Sequence, residues 1–487
     1  MHRFSMPAFF KICNVVAILI TLGSCSYNQA TGEKQFTAFM PAAKEAQIGA
    51  QNHAAVLKEY GEYKDAELSA YVNRIGQKLA QYTERDDVKY TFTVIDSPIV
   101  NAFAVPGGYI YISRGLITLA NNEAELASVI GHEIGHITAR HSAQQQSQGV
   151  LANIGLVALS IATDTAAVRQ AGSLGTDLFL KSYSRKHENQ ADELGIRYIA
   201  KAGYDPYAAQ SFLSHLEADS ALEKKIKKET GSIPVYFSTH PLTADRVREA
   251  SVIASSYPKG QFDDQKVEYF RLIDNVTYGD SADKGFVRGQ TFVHPNLGFM
   301  FDAPQGFEIV NQPNRVIAQS QNAVIIFDGA KKNAAQSIED YLVNVWKRGK
   351  TGYDTPERLT INGMDAAMTS YVATISGQQK RVREVAIAYN TTDIYRFTFV
   401  METNASIATQ TSLKDTMYSF KKMSANDKLR YPPQRIKVFV AKAGDTVAQK
   451  ASIMPFDDYK EERFRVLNGM SLLEPLTPNR LYKTIIE

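Results

Sequence analysis

Cysteine is scarce in this chain, whose 487 residues include only Cys13 and Cys25. Because both lie close to the amino terminus, a disulfide framework is excluded for the rest of the chain, which must rely on the size of its hydrophobic core. This usage suits an exported protein in which Cys13 is removed with a signal peptide and Cys25 is modified.

A strong imbalance of charge is also missing. The formal net charge is +3, which gives no argument for a nucleic-acid partner. Long apolar runs are missing as well, because Ile12–Leu22 and Val150–Ala162 are both shorter than the roughly 20 residues that span a bilayer. A length of 487 residues exceeds a single core and predicts two to four domains.

The most informative segment that is present is His132-Glu133-Ile134-Gly135-His136, inside a helical pattern from Glu123 to His141. Histidines four residues apart lie on one face of a helix, where both can bind a single tetrahedral Zn²⁺ ion. Glu133 can then accept a proton from a water at the open side of the metal. The motif also arises by chance, but its small and apolar neighbours favour a buried helix.

A carboxylate pair downstream supplies a candidate third ligand. Glu188 and Asp192 lie one helical turn apart, in a segment that ends before Gly203 and Pro206. We expect Glu188 to bind the metal and Asp192 to accept the second N–H of a ligating imidazole, which fixes its tautomer. An ordinary solvated helix face is the alternative for such a pair.

Four segments in this order resemble the gluzincin endopeptidases, the family that includes the CAAX prenyl proteases, the mitochondrial Oma-type proteases and the bacterial Bep-type quality-control proteases. The resemblance extends from about residue 40 to residue 255. It implies a mainly helical peptidase domain with a small edge sheet and one zinc ion per chain. The segments are Asn101–Tyr111, His132–His136, Tyr183–Asp192, and Thr239–Leu242 followed by Asp245 and Arg246.

The resemblance also implies a role for His240. This side chain either stabilises the tetrahedral intermediate or reaches the zinc and holds the enzyme latent, unless it merely caps the helix that follows. Arg246 is expected to support the same site. Three other histidines are expected not to bind the metal: His53, His141 and His187.

The segment before the zinc helix resembles the family's substrate-side edge strand. A hairpin beside the metal, with its turn at Pro106-Gly107-Gly108, would offer backbone groups to an extended peptide by β-augmentation, with an ordinary core hairpin as the alternative. The run Val150–Ala162 is expected to be a buried helix or a loop over the cleft, with membrane contact as the alternative, and Thr163–Thr176 is expected to form a lid. The residues assigned to the substrate strand are Asn101, Ala102, Phe103 and Ala104.

The amino terminus has the pattern of a secretory signal, with basic residues, a short apolar run and the end Leu22-Gly23-Ser24-Cys25. That end resembles a bacterial lipobox, which implies a signal peptide at 1–25 and a lipid anchor on Cys25. Ser26, rather than aspartate, implies the outer membrane of a Gram-negative bacterium. A plain secretory signal or an uncleaved anchor is the alternative. Residues 26–40 are expected to form a tether.

Beyond about residue 255 the pattern changes, and the 34-residue repeats of the Bep-type proteases are not found in the sequence. Residues 286–427 resemble a PsbP-like α+β domain, most clearly at Gly298–Phe307. Residues 432–487 resemble a LysM-like module, which in other proteins binds peptidoglycan, with a structural role as the alternative. The predicted fold class is α+β multidomain, with the zinc peptidase domain at 41–285.

These features together predict a zinc endopeptidase that is lipid-anchored and faces the periplasm. The resemblance implies misfolded or stalled envelope proteins as substrates, and peptidoglycan or the envelope assembly machinery as candidate partners. The main alternative is an outer-membrane assembly factor or chaperone with a largely latent peptidase site. A cell-wall scaffold is a further alternative, against which an intact Glu133 argues.

Overall fold

The structure, a computed structural model, describes residues 25–151, 182–227, 235–241, 244–258, 260, 262, 264–347 and 351–487. The predicted signal sequence up to residue 24, most of the apolar run that begins at Val150 and the predicted lid lie outside these ranges. Within the described ranges, no helix has both the length and the apolar character that crossing a bilayer requires.

The chain forms two compact units. The first comprises residues up to Tyr278 together with Arg435–Ile486, and the second comprises Gly279–Gln434 with Glu487. Helices dominate the first unit. Before Tyr278 they lie at Ala42–Tyr60, Ala66–Ala80, Arg114–Leu119, Glu123–Thr138, Arg185–Lys201, Ala208–Lys227, Val235–Thr239, Ala244–Ser255 and Lys266–Ile273.

The helix Glu123–Thr138, called the HExxH helix below, is buried along its whole length. Its amino terminus is capped by Asn122, whose side chain accepts a hydrogen bond from the backbone N–H of Glu125. Its apolar residues pack in the core, and polar residues such as Glu125, which accepts hydrogen bonds from Asn121 and Ser211, are buried with partners. The central core helix predicted from the sequence is therefore present, although it ends before His141.

The helix Arg185–Lys201, called the Glu188 helix below, packs directly against the HExxH helix. Glycines face each other at the crossing: a methyl group on Gly195 would lie 2.8 Å from the backbone nitrogen of His132, and one on Gly135 would lie 2.9 Å from the carbonyl oxygen of Ala191. These distances are shorter than van der Waals contact, so only glycine permits so close an approach. The crossing brings the two predicted ligand segments together.

Within the part of the chain that the structure describes, five strands precede the second unit. Strands β3, β5 and β4 form one sheet in that order, with β3 and β5 parallel and β4 antiparallel to β5. Within the described ranges, β4 is therefore an edge strand, and it packs on the HExxH helix. The strands are β1 (Cys25–Asn28), β2 (Glu33–Phe36), β3 (Thr91–Ile95), β4 (Ala102–Val105) and β5 (Tyr109–Ser113).

The expectation of a tether at 26–40 is wrong. Strands β1 and β2 form an antiparallel hairpin, and the side chain of Asn28 donates a hydrogen bond to the carbonyl oxygen of Thr138, the last residue of the HExxH helix. Met40 is fully buried, and its carbonyl accepts a hydrogen bond from Arg140. The polar composition suggested a solvated linker, but these polar groups bond to the peptidase core.

The second unit is built mainly from strands. One sheet has the order β12-β13-β14-β15-β11-β10-β9 and another the order β16-β8-β7-β6, around a core rich in phenylalanine. Helices lie at Ile338–Asp340, which continues as a π-helix at Tyr341–Trp346, at Ile407–Ser419 and at Ala425–Arg430. The strands are β6 (Phe286–Arg288), β7 (Thr291–His294), β8 (Phe299–Asp302), β9 (Glu308–Gln312), β10 (Arg315–Gln319), β11 (Ala323–Lys331), β12 (Glu357–Ile361), β13 (Met364–Ile375), β14 (Gln378–Ala388), β15 (Asp393–Glu402) and β16 (Lys421–Lys422).

The carboxyl-terminal segment returns to the first unit. It consists of β17 (Arg435–Val440), helices Val447–Ser452 and Lys460–Leu467, and β18 (Leu481–Ile486), with β17 and β18 antiparallel. Its apolar side chains join the same core as those of the HExxH helix. This grouping differs from the three separate domains expected at 41–285, 286–427 and 432–487, because a segment that shares a core does not form a separate compact unit.

Candidate metal centre

His132 and His136 lie on one face of the HExxH helix, as their spacing predicts. Their Nε2 atoms are 3.0 Å apart, and both side chains are buried. Glu188, from the neighbouring helix, places its Oε2 atom 3.5 Å from Nε2 of His132 and its Oε1 atom 3.5 Å from Nε2 of His136. The structure thus brings together the three residues that the sequence suggested as ligands.

His240 completes this cluster. Its Nδ1 atom lies 3.3 Å from Nε2 of His132 and 3.2 Å from a carboxylate oxygen of Glu188. One donor atom from each of His132, His136, Glu188 and His240 lies within 4.8 Å of the others, close enough for all four to hold one metal ion. Of the two functional roles weighed for His240, contact with the metal is the one that this geometry favours.

The donor set fits a zinc ion. Three imidazoles and a carboxylate are the ligands that Zn²⁺ prefers, and here they converge in a buried pocket. Buried polar atoms normally have partners, yet Nε2 of His240 and both oxygens of Glu133 make no hydrogen bond to any residue in the described ranges. A metal with its water would satisfy groups that the surrounding protein leaves unpaired.

Asp192 and Arg246 contact the predicted ligands without being ligands themselves. A carboxylate oxygen of Asp192 lies 2.8 Å from Nδ1 of His132, which leaves the Nε2 atom of that ring for the metal. Arg246 forms two 2.8 Å hydrogen bonds to the Asp192 carboxylate and also lies 2.7 Å from Glu188. The sequence suggested supporting roles for both residues, and the structure brings them into contact with the predicted ligands.

Burial and neighbouring charges shift the pKa values of His132 and His136 in opposite directions. Burial by itself would lower the pKa of His132, but the hydrogen bond and charge of Asp192 raise it to about 10. Burial lowers the pKa of His136 well below its ordinary value. The neighbouring carboxylates thus favour the charged form of His132, whereas burial favours the neutral form of His136.

Glu133 occupies the place expected of a general base. It is completely buried, and one of its carboxylate oxygens lies 3.6 Å from Nε2 of His240. Burial raises the pKa of the Glu133 carboxyl, an effect partly offset by the charges of His240 and His132. A carboxyl with a raised pKa binds a proton more readily, which suits a group that accepts a proton from water and then returns it.

The expected substrate strand lies beside this base. Ala102, Phe103 and Ala104 belong to β4, and Asn101 precedes it, with its backbone N–H donating to the hydroxyl of Ser113. The side-chain oxygen of Asn101 is buried and accepts no hydrogen bond from any described residue. Strand β4 is thus an edge strand next to Glu133, as a peptide-binding strand must be.

One feature of the site was missed in the sequence. His141 was expected to turn away from the metal face, because it follows His136 by five residues. Arg140, however, has a left-handed backbone with φ of 57°, so the helix stops and a new one begins. His141 consequently lies 2.9 Å from Nδ1 of His136 and hydrogen-bonds Gln190 on its other side. It orients a predicted ligand without belonging to the donor set.

Comparisons with known proteins agree with this geometry. Residues 66–254 match peptidase family M48. The chain is similar to the beta-barrel assembly-enhancing protease of Escherichia coli, with 32% identity over 38% of this chain and 39% of that protein. It is also similar to the mitochondrial metalloendopeptidase OMA1 of Schizosaccharomyces pombe, with 28% identity over 42% of this chain and 59% of that protein. The chain thus spans less than two thirds of the length of either relative.

The chain also has a weak likeness to a solved structure that is not a peptidase. The solution structure of cyanobacterial PsbP from Synechocystis covers 27% of this chain and 91% of that chain, at 12% identity and a TM-score of 0.23. A score of this size supports no argument about fold or function.

Proposed function

Because residues 66–254 belong to peptidase family M48, we propose that the protein is a zinc-dependent metalloendopeptidase. The observation that carries the proposal is the convergence of His132, His136 and Glu188 beside the buried carboxylate of Glu133, which accepts no hydrogen bond from a described residue. These three residues would hold one zinc ion, with Asp192 and Arg246 fixing the orientation of His132 and Glu188.

The chemistry of peptide hydrolysis can be assigned to these groups. When bound, zinc supplies Lewis-acid activation of a water and of the peptide carbonyl. Glu133 accepts the proton of the attacking water and delivers it to the leaving amine nitrogen. An extended substrate would pair with the edge of β4, which aligns its scissile bond next to Glu133.

His240 would regulate this site. Catalytic zinc sites keep one position open, whereas four protein ligands are typical of closed, structural sites. The cluster here includes His240 as a fourth donor, so hydrolysis requires His240 to leave. We assign His240 to a latent state, in which it takes the place of water, rather than to stabilisation of the intermediate.

The substrates would be misfolded or stalled envelope proteins in the periplasm of a Gram-negative bacterium. The similarity to the E. coli beta-barrel assembly-enhancing protease supports this class. Lipid attachment at Cys25 would anchor the enzyme to the outer membrane. The PsbP-like and LysM-like regions would serve binding, with peptidoglycan and the assembly machinery as candidate partners. The assembly-factor alternative is less favoured, because the matched relatives are named as proteases.

The decisive experiment combines zinc content with cleavage of casein, in a form that lacks residues 1–25. The variants are Glu133→Gln and His240→Ala. We expect one zinc per chain in all forms, slow cleavage by the unaltered protein, faster cleavage by His240→Ala and none by Glu133→Gln. If His240→Ala abolished cleavage, the latency assignment would be wrong. Bound zinc with no cleavage in any form would instead favour the assembly factor.

A further inference from the structure

The amino-terminal hairpin is joined to the catalytic core by buried hydrogen bonds. Asn28, only 5% exposed, donates to the carbonyl of Thr138 at 3.0 Å and to Gln35 at 3.2 Å. Its side-chain oxygen accepts from the backbone nitrogens of Ala30 and Thr31. Every polar atom of this side chain is therefore used, and the hairpin turn is fixed to the end of the HExxH helix.

The hairpin also contacts the second helix of the site. The guanidinium of Arg197, on the Glu188 helix, donates to the carbonyl oxygen of Ala30 at 3.2 Å. On the same helix, Lys186 forms an ion pair with Glu33 of the hairpin. The hairpin is thus attached to both helices that carry the candidate metal ligands, and it cannot move independently of them.

These contacts limit how far Cys25 can lie from the metal centre. Cys25 precedes Asn28 by three strand residues, about 10 Å. Thr138 follows His136 by two helical residues, about 3 Å. With the bridging side chain included, Cys25 lies on the order of 20 Å from His136. A free tether made of residues 26–40 would instead extend to about 50 Å.

The outward face of the hairpin has the character of a surface that meets lipid headgroups. Tyr27 is 66% exposed and pairs across the hairpin with Lys34, which is also exposed. Tyrosine prefers the boundary between lipid and water, and lysine is attracted to anionic headgroups. Tyr27 follows Cys25 by two residues, and the strand pairing places Lys34 opposite Tyr27.

We infer that the hairpin is a rigid mount, which holds the catalytic site within about 20 Å of the lipid-bearing residue. The peptidase then acts on chain segments close to the membrane surface and not on segments that extend far from it. This inference rests on the proposed function and on lipid attachment at Cys25. It narrows the substrate class to polypeptides held at the same membrane.

The test uses the full lipidated chain in vesicles of phosphatidylethanolamine and phosphatidylglycerol. Reporters anchored in the same vesicles carry an unfolded casein segment on helical rods of 10 or 60 residues, which are about 15 or 90 Å long. One variant has 60 Gly/Ser residues inserted between Ser26 and Tyr27. The control has the same insert between Ser376 and Gly377, the exposed turn between β13 and β14.

We expect the unaltered chain and the control to cleave the short-rod reporter at least about tenfold faster than the long-rod reporter. The variant with the insert after Ser26 should cleave both at rates within about threefold, because a flexible linker of that length spans about 45 Å on average and up to about 200 Å when extended. Equal rates of cleavage of both reporters by the unaltered chain would contradict the inference that the hairpin is a rigid mount.

A second readout does not depend on activity. A dye on Gln148→Cys, an exposed position, reports energy transfer to acceptor lipids. Transfer should fall at least about twofold after the insertion, and no fall would overturn the mount. A mass spectrum without acylation on Cys25 would overturn it as well. If the protein failed to cleave soluble casein but energy transfer still fell after the insertion, the proposed peptidase function would be wrong. The inference that the hairpin is a rigid mount would still hold.

Discussion

The carboxylate of Asp192 lies 2.8 Å from Nδ1 of His132, while Arg246 binds both oxygens of the same carboxylate. This chain of contacts sets the tautomer of His132, because a ring that donates from Nδ1 has its lone pair on Nε2. Nε2 is the atom that faces Glu188 and His240. The positive charge of Arg246 in turn offsets the free-energy cost of burying the Asp192 carboxylate.

Replacement of Asp192 should therefore weaken metal binding. We expect Asp192→Asn to lower zinc affinity by roughly 10- to 100-fold, the range typical of lost second-layer partners. Competition with a chelator of known affinity measures the change. The matched control is Asp245→Asn, which alters an exposed carboxylate that pairs with Arg248 on the helix that carries Arg246. Equal losses in both variants would contradict a specific role for Asp192.

The glycine contacts between the HExxH helix and the Glu188 helix predict a steric effect. Gly195→Ala should destabilise the protein by about 1–3 kcal/mol, because its methyl group would lie 2.8 Å from the backbone of His132. Zinc affinity should fall as well, since Glu188 moves with its helix. Denaturant unfolding and metal titration check both. Gly149→Ala is the control: its methyl group would meet nothing within 4 Å, so helix propensity should make it neutral or slightly stabilising.

The carboxyl-terminal segment predicts a stability effect far from its own position in the sequence. The ammonium of Lys483 is completely buried and donates to the carbonyls of Thr118, Leu119 and Ala120, just before the HExxH helix. Lys483→Met should cost about 2–4 kcal/mol, since each buried carbonyl without a donor costs roughly 1–3 kcal/mol.

The control for this change lies in the same two-stranded sheet. Lys437→Met removes an exposed lysine that pairs with Asp274, and it should cost less than about 1 kcal/mol. Thermal and denaturant unfolding of the full chain measure both variants. Similar small effects for the two lysines would show that the carboxyl-terminal segment contributes little to the core.

In the second unit, a buried ion pair predicts a further asymmetry. Lys347 and Glu384 lie 2.6 Å apart and are both buried, with the ring of Tyr371 3.7 Å from the ammonium. Glu384→Gln should cost about 3–5 kcal/mol, because it leaves an unpaired buried charge. Asp393→Asn, which breaks a pair with the exposed Lys331, should cost less than about 1 kcal/mol. The unfolding transition of this unit is the measurement, and equal costs would argue that the Lys347 site is hydrated.

Which residues share one face of a helix could be predicted from the sequence, because this needs no knowledge of the rest of the fold. His132 and His136 share a helix face through the 3.6-residue period alone, and the same holds for Glu188 and Asp192. Their helices were therefore predicted near their observed bounds. His141 was placed wrongly for the same reason: the period was applied past Arg140, where a left-handed residue ends the helix.

The sequence by itself determined the helix pair, the residues suited to bind zinc and the general base, because short-range periodicity and side-chain chemistry decide them. Only the tertiary structure decided how they meet. It brought His240 to within 3.3 Å of His132 across 108 residues, turned the expected tether into a hairpin fixed to the catalytic core, and placed the carboxyl-terminal strands in the peptidase unit. Such contacts depend on which surfaces are buried together, and a pattern within one segment does not contain that information.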